Sequence, residues 1–163
     1  MSSTLLLKNA LVIATLDDEQ REIANGSVFI RGNRVEAVGP ASELPDTADK
    51  VIDMTGHVLI PGLINTHHHM FQSLTRALPA AQDAELFDWL TALFPVWQNI
   101  TPAMQRAATR TALAELMLSG CTTAADHAYL YVNGTRLDDS VQAAQEMGMR
   151  FHAVRGAMSL GQS

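Results

Sequence analysis

Polar and apolar residues alternate in short runs over the first sixty positions of the chain. This period of two is typical of half-buried β-strands, and it predicts strands at residues 5–8, 11–16, 27–31, 34–38, 51–53 and 58–60. Three pairs of residues that tolerate positive φ separate the runs, namely Asn25-Gly26, Gly32-Asn33 and Thr55-Gly56. We therefore predict an antiparallel β module over residues 1–60, with its clearest hairpin at Gly32-Asn33.

After residue 61 the pattern changes to strands that alternate with helices. Asp83 is placed to cap a helix, Pro95 is placed to end it, and its apolar face carries Leu86, Leu90 and Leu93. A longer helix opens at Thr101-Pro102 and ends before Gly120, because these residue types favour the first and last positions of helices.

Two further strands and one helix complete this second pattern. The sequence predicts a buried strand at 121–125, a helix at 138–147 followed by Gly148, and a strand at 150–156. The order strand, helix, strand, helix, strand requires crossover connections and a parallel sheet. We place the domain boundary near Pro61.

A histidine cluster follows the apolar strand that begins at Pro61. Alternate residues of a strand share a face, so His67 and His69 point one way and His68 points the other way. Two neutral imidazoles so placed can converge on one Zn²⁺. The alternative is an unbound, partly exposed histidine run or a purification tag. The internal position after an apolar strand argues against the tag.

The next two predicted strands also end in polar residues. Asp126 and His127 follow the second strand, and Arg155 lies at the end of the third. Parallel β/α barrels carry their catalytic residues at the carboxyl ends of the strands. Each residue taken singly is equally well explained as a hydrogen-bonded or capping residue. Cys121, at the start of its strand, is expected to be a core residue.

Composition narrows the class of protein. The 163 residues are 47% hydrophobic with a net charge of −6, and they show no basic cluster that would bind nucleic acid or an anionic membrane. We therefore expect a small polar substrate. Cys121 is the only cysteine, no secretory signal opens the chain, and no apolar run approaches the length of a membrane span. These features favour a cytoplasmic protein.

The histidine segment, residues 62–69, resembles the metal-binding first strand of the amidohydrolase superfamily, and the preceding module resembles its small N-terminal β-sandwich. The segments 69–72, 87–90, 120–123 and 136–140 resemble the deaminase and chlorohydrolase branch of that superfamily. This branch includes guanine deaminases, triazine hydrolases and, most similar to this chain, 8-oxoguanine deaminases.

The resemblance implies an α/β fold, with a β-sandwich portion at 1–60 and the first three units of a metal-dependent (β/α)8 barrel at 61–163. It implies that His67 and His69 bind one divalent metal ion, usually zinc. Gln72 matches a position that hydrogen-bonds the purine, and Trp89 lies in a helix that borders the pocket. Without the resemblance, Gln72 is an ordinary solvated loop residue.

The remaining site residues are expectations of the same kind. Asp126 and His127 are expected to support the metal ligands, and the second ring nitrogen of each ligand is expected to bond either Asp126 or a backbone carbonyl. Arg155 is expected to contact the substrate. The expected activity is deamination of a purine such as 8-oxoguanine or guanine by a homo-oligomer, and the alternative within the branch is a triazine amino- or chlorohydrolase. A cytidine-deaminase type of zinc site is not expected, because the sequence has no Pro-Cys-x-x-Cys pair.

The resemblance also implies residues that this sequence does not contain. The site of this branch uses a His and a Glu from the fifth strand, a His from the sixth and an Asp from the eighth. A whole barrel takes about 250 residues. We therefore expect these 163 residues to be the N-terminal portion of an enzyme, inactive alone because the acid and base residues lie beyond it. The alternative is a non-catalytic chain that must associate with its missing half.

Overall fold

The computed structural model describes residues 2–157. The chain divides into two compact units, Met1–Pro61 and Gly62–Ser163, one residue later than the boundary expected from sequence. The last six residues of the expected second domain, 158–163, lie outside the described part. Over residues 2–157, no helix is long and apolar enough to cross a membrane.

The first unit contains a five-stranded sheet. Its strands are β1 (Thr4–Ala14), β2 (Glu22–Arg31), β3 (Arg34–Pro40), β4 (Lys50–Asp53) and β5 (Val58–Leu59). The order is β3-β2-β1-β4, and β5 also pairs with β1. The Gly32-Asn33 hairpin is confirmed, since Arg31 pairs with Arg34 and Gly32 has φ of 59°.

The prediction of a purely antiparallel module is wrong. β2 runs antiparallel to β1 and β3, whereas β4 and β5 each run parallel to β1. The residues between β3 and β4 are numerous enough for the chain to cross over and return parallel to β1. Which strands pair depends on contacts between residues distant in sequence. Over the described residues of this unit the structure shows one mixed sheet, so the β-sandwich stays a prediction.

β1 is one strand where the sequence indicated two. Asn9 adopts φ of 64°, and the pairing register with β2 shifts between Leu7 and Ala10. This bulge lets the strand continue with Ala10 and Ile13 in the core. Asn25, expected in a turn, likewise lies inside β2 with φ of 49°.

The second unit contains the predicted parallel sheet, but its second strand is longer than expected and includes Asp126 and His127. Its strands are β6 (Leu63–Asn65), β7 (Cys121–Ala128) and β8 (Arg150–Arg155), in the order β6-β7-β8. Helices α1 (Leu86–Trp97), α2 (Pro102–Leu118) and α3 (Leu137–Met147) lie between them in sequence, with short 3-10 helices at Met70–Thr75 and Pro79–Ala81.

The signals at the ends of α2 and α3 are confirmed. The Thr101 hydroxyl accepts a hydrogen bond from the Met104 N–H at 3.3 Å, which satisfies one of the free donors at the helix start. Pro102 occupies the first turn and Gly120 follows the end with φ of 87°. Gly148 ends α3 with φ of 73°.

The signals predicted for α1 are wrong at both ends. Glu85, not Asp83, is the N-cap, and Asp83 adopts φ of 58°. Pro95 lies inside the helix instead of ending it. The helix continues to Trp97 because the Trp97 side chain is fully buried and packs in one apolar cluster with Leu93. Tertiary packing therefore outweighs the hydrogen bond that proline cannot make.

The core of the second unit lies between the sheet and the helices α2 and α3. It contains the predicted core residue Cys121, which is 6% exposed, and its other members are Met70, Ala112, Leu113, Ala124, Ala144 and Met149. Gly62, the residue before β6, lies close to β7, and a Cβ on it would lie 2.2 Å from Thr122 Cγ2. Only glycine fits this position without a shift of one strand.

Candidate active site

His67, His68 and His69 come after β6, which ends at Asn65, and the chain there still lies alongside β7. The His127 N–H donates to the His68 carbonyl at 2.8 Å, so the pairing with β7 continues beyond the regular strand. The alternation of side chains therefore continues as well. The rings of His67 and His69 come together with their centres 4.9 Å apart, and the ring of His68 is half-buried.

The geometry of this pair fits a shared metal ion. Two imidazoles that bind one tetrahedral Zn²⁺ at about 2.0–2.1 Å have ring centres roughly 5 Å apart. His69 Nδ1 lies 2.7 Å from the His127 carbonyl oxygen, and since a carbonyl can only accept, Nδ1 carries the proton. The lone pair of His69 is then on Nε2, the atom free to bind a metal.

This contact decides between two acceptors that the sequence left open. The acceptor for a ligand histidine was expected to be either Asp126 or a backbone carbonyl, and the structure shows the carbonyl of His127. The His127 ring lies 4.8 Å from the His67 ring and 6.0 Å from the His69 ring, centre to centre. His127 thus supports His69 through its backbone.

Two histidines are fewer than the three protein ligands that catalytic zinc sites use. Within residues 2–157 no group of three or more His, Cys, Asp or Glu side chains is arranged to hold a metal ion. The residues present therefore fit one part of a metal site. The roles of His67 and His69 as ligands stay predictions.

Asp126 is fully buried and supports the segment after His69. Its Oδ1 accepts a hydrogen bond from the Met70 N–H at 3.0 Å, which holds the start of the 3-10 helix Met70–Thr75. Burial raises the pKa of the Asp126 carboxyl, and the Met70 N–H opposes that rise. Burial lowers the pKa of His68, so this ring is neutral near pH 7.

A cleft of ≈ 330 Å³ opens beside the histidines. The 3-10 helix brings Gln72 to it and α1 brings Trp89, so two predicted substrate residues share one cavity with the predicted metal ligands. The cleft is lined by His67, His68, His69, Gln72, Ser73, Thr75, Arg76, Ala77 and Trp89.

Arg155 is not brought to this cleft within the part of the chain that the structure describes. It ends β8, and its guanidinium carbon lies 5.2 Å from the centre of the Tyr131 ring. This distance is typical of a cation–π contact. A role of Arg155 in substrate binding stays a prediction.

Tyr129 contacts the predicted site residue Gln72, and no role was predicted for it from the sequence. Gln72 Nε2 donates to the Tyr129 hydroxyl at 2.8 Å, and burial raises the pKa of Tyr129, so the hydroxyl is protonated at neutral pH. Its position directly after β7, two residues beyond His127, was the available signal. Polar residues at that end of a strand lie near the site.

A parallel β/α sheet with two converging histidines at its carboxyl end is typical of metal-dependent β/α-barrel enzymes. The model of the amidohydrolase family matches residues 58–162. The chain belongs to the amidohydrolase family.

Characterised relatives cover nearly the whole chain. The 8-oxoguanine deaminase of Pseudomonas aeruginosa is 44% identical over 158 residues, which are 96% of this chain and 35% of that protein. The isoxanthopterin deaminase of an unknown prokaryotic organism is 36% identical over 160 residues, or 93% of this chain and 33% of that protein. The chain thus spans about a third of the length of these relatives.

Solved structures show the same fold. A triazine hydrolase from Arthrobacter aurescens superposes with a TM-score of 0.89 at 31% identity, over 98% of this chain and 37% of that one. An atrazine chlorohydrolase from Arthrobacter aurescens TC1, complexed with zinc, gives a TM-score of 0.89 at 30% identity, over 97% and 37%. The mixed α/β fold expected from the sequence is confirmed at this level.

Proposed function

We propose that the protein to which these residues belong is a zinc-dependent aminohydrolase that removes an amino group from a purine such as 8-oxoguanine or guanine. The observation that carries the proposal is the convergence of the His67 and His69 rings, 4.9 Å apart, on the cleft that Gln72 and Trp89 line. The identity of 44% to an 8-oxoguanine deaminase supports the choice of a purine.

The residues of this chain would supply the first half of the metal site. His67 and His69 would hold the ion, and the His127 carbonyl would orient His69 through Nδ1. A bound zinc ion supplies a nucleophilic water at neutral pH and polarises the carbon that is attacked. The resemblance assigns the other ligands and the acid–base groups to later barrel strands.

The cleft would hold the heterocycle. Its volume of ≈ 330 Å³ lies at the lower end of the range of about 300–1,000 Å³ for small-molecule sites. Trp89 offers an aromatic surface that suits a planar ring, and Gln72 offers an amide that can both donate and accept hydrogen bonds. Together they favour a small, flat, polar substrate.

The finer architecture belongs to the same proposal. We infer that residues 1–60 contribute to a β-sandwich and that β6, β7 and β8 are the first three strands of a (β/α)8 barrel. The superposition on a triazine hydrolase over 37% of its length supports this arrangement. The expected homo-oligomer is likewise proposed for the whole protein.

A triazine substrate is the second candidate. The observation that favours it is the TM-score of 0.89 to a triazine hydrolase, together with 35% identity to the hydroxydechloroatrazine ethylaminohydrolase of Pseudomonas sp. strain ADP. Purines and triazines are both planar heterocycles whose ring carbons carry an amino or halogen leaving group, so both chemistries need the same metal site.

A substrate panel separates these candidates. The full-length, zinc-loaded protein is assayed for ammonia release from guanine, 8-oxoguanine, isoxanthopterin and aminotriazines, and for chloride release from a chlorotriazine. His69→Ala is the matched control, since it should lose zinc and turnover together. We expect purines to give the highest kcat/KM. Faster triazine turnover would favour the second candidate, and no turnover of any compound would contradict both and leave the non-catalytic alternative.

A further inference from the structure

Gln72 is held from two directions at the edge of the cleft. Its backbone N–H donates to the His69 carbonyl at 3.0 Å, which ties it to the histidine segment. Its carbonyl accepts from the Thr75 hydroxyl at 3.3 Å, and that hydroxyl in turn accepts from Trp97 Nε1 at 3.0 Å. Because Trp97 is fully buried, the backbone of Gln72 is anchored to the core.

The side chain of Gln72 is held by Tyr129. Its Nε2 donates to the Tyr129 hydroxyl at 2.8 Å. The Tyr129 ring packs edge-to-face on the His69 ring at 5.0 Å and on the Phe71 ring at 5.2 Å, centre to centre. Phe71 is 1% exposed, so the ring is fixed on both sides and the hydroxyl has one position.

The contact with Tyr129 determines which group of the amide remains for a ligand. Nε2 faces the tyrosine, and the planar amide then turns Oε1 away from it. Within residues 2–157 the three buried side-chain polar atoms without a hydrogen-bond partner are Asn65 Oδ1, His68 Nδ1 and Asp126 Oδ2. Gln72 Oε1 is not among these buried atoms, no donor within the same range bonds it, and Gln72 is one of the residues that line the cleft.

We propose that Tyr129 is a positioning residue that fixes the Gln72 amide with Oε1 toward the cleft, and that the cleft thereby selects heterocycles that present a ring N–H donor. This inference rests on the proposed function and narrows its substrate class to lactam-like rings. Guanine and 8-oxoguanine carry such an N–H, whereas the aromatic ring of an amino- or chlorotriazine has none.

The first test changes the Gln72 side chain in the full-length, zinc-loaded protein. Gln72→Leu removes the acceptor and should lower kcat/KM for guanine or 8-oxoguanine roughly 3- to 10-fold, the usual range for one neutral hydrogen bond. Gln72→Glu keeps an acceptor but no donor, and Tyr129 can donate to it. It should retain kcat/KM within about threefold of wild type. A loss equal to that of Gln72→Leu would overturn the proposal, because Nε2 would then be the recognition group.

The second test is a double-mutant cycle. Tyr129→Phe removes the hydroxyl and keeps the ring packed on His69 and Phe71. It should lower kcat/KM roughly 2- to 5-fold, mainly through KM, with zinc content unchanged. In a Gln72→Leu background the same change should have no effect, because its action passes through Gln72. An equal loss in both backgrounds would show that the Tyr129 hydroxyl acts independently of Gln72 and would overturn the proposal.

The third test varies the ligand. Guanine is compared with its singly N-methylated analogues, of which at least one should bind roughly 3- to 10-fold more weakly to the wild type. This ratio should shrink in Tyr129→Phe. The matched control is Tyr131→Phe, which removes a hydroxyl bonded to the Ala128 carbonyl at 2.9 Å and should leave the ratio unchanged. The absence of any methylation penalty would overturn the proposal.

Failure of this inference is distinguishable from failure of the proposed function. Dissociation constants for the same ligands are measured by calorimetry alongside ammonia release. If the effects of Gln72→Leu and Tyr129→Phe on Kd are coupled but no ammonia is released, the aminohydrolase is contradicted and the role of Tyr129 is supported. If ammonia is released but the two effects are independent, the aminohydrolase is supported and the role of Tyr129 is contradicted. A wild type that binds none of the N–H heterocycles would overturn both.

Discussion

At the scale of single residues, Asp126 stabilises the site through the backbone of a neighbour. The carboxylate is 0% exposed, and its Oδ1 accepts from the buried Met70 N–H at 3.0 Å. Met70 directly follows His69 and begins the 3-10 helix that carries Gln72. The orientation of both predicted site residues therefore depends on this hydrogen bond.

We predict that Asp126→Ala lowers the free energy of unfolding by about 1–3 kcal/mol, because it leaves a buried N–H without its acceptor. Asp126→Asn is the matched control, since its amide oxygen can replace Oδ1, and its loss should be clearly smaller. Urea unfolding of the full-length protein measures both values. Equal losses for the two variants would show that the negative charge, and not the acceptor, is what stabilises the fold here.

The residue scale also shows what the sequence could and could not predict. Two-residue alternation was sufficient to place His67 and His69 together, because the extended backbone continues past Asn65. It could not identify the His127 carbonyl as the partner of His69, since backbone acceptors have no sequence signature. Tyr129 was missed for a related reason: its partner Gln72 lies 57 positions away.

At the scale of elements, the close contact between the chain at the start of β6 and the strand β7 depends on one glycine, Gly62. A Cβ on Gly62 would lie 2.2 Å from Thr122 Cγ2 and 2.3 Å from Thr122 Oγ1. These separations are well inside van der Waals contact, so a side chain at Gly62 must push the two strands apart. His67, His68 and His69 follow the far end of β6.

We predict that Gly62→Ala destabilises the protein by about 1–3 kcal/mol, the range for overpacking at a close contact. Thr122→Gly removes the opposing side chain, so Gly62→Ala should cost much less when it is added to Thr122→Gly. Thermal or urea unfolding of the four proteins gives the coupling energy. Additive losses would show that Thr122 is not the obstacle and would contradict the steric cause.

The elements were predictable where their signals are local. The end residues of α2, Thr101 and Gly120, act within one turn of the helix, and the structure shows both in their expected places. The signals of α1 failed because burial of Trp97 favours a helix that runs past Pro95. The sequence predicted two strands in place of β1 because the bulge at Asn9 interrupts the alternation of polar and apolar residues, which resumes after it.

At the scale of the whole molecule, the order of predicted strands and helices predicted the type of sheet in the second unit better than in the first. Alternating strands and helices require a parallel sheet, since the crossover helices leave no other geometry. In the first unit short strands follow one another with no such constraint. Whether β4 pairs parallel or antiparallel with β1 depends on contacts across more than forty residues, which the local pattern does not encode.

The metal content of three histidine variants tests the central claim most directly. His67→Ala, His68→Ala and His69→Ala are made in the full-length protein, and bound zinc is measured by elemental analysis after purification in zinc-containing buffer. We predict that His67→Ala and His69→Ala lose the ion, because each removes one of few ligands, and that His68→Ala retains most of it. A zinc-free His68→Ala, with zinc retained in the other two, would contradict this assignment by one residue of register.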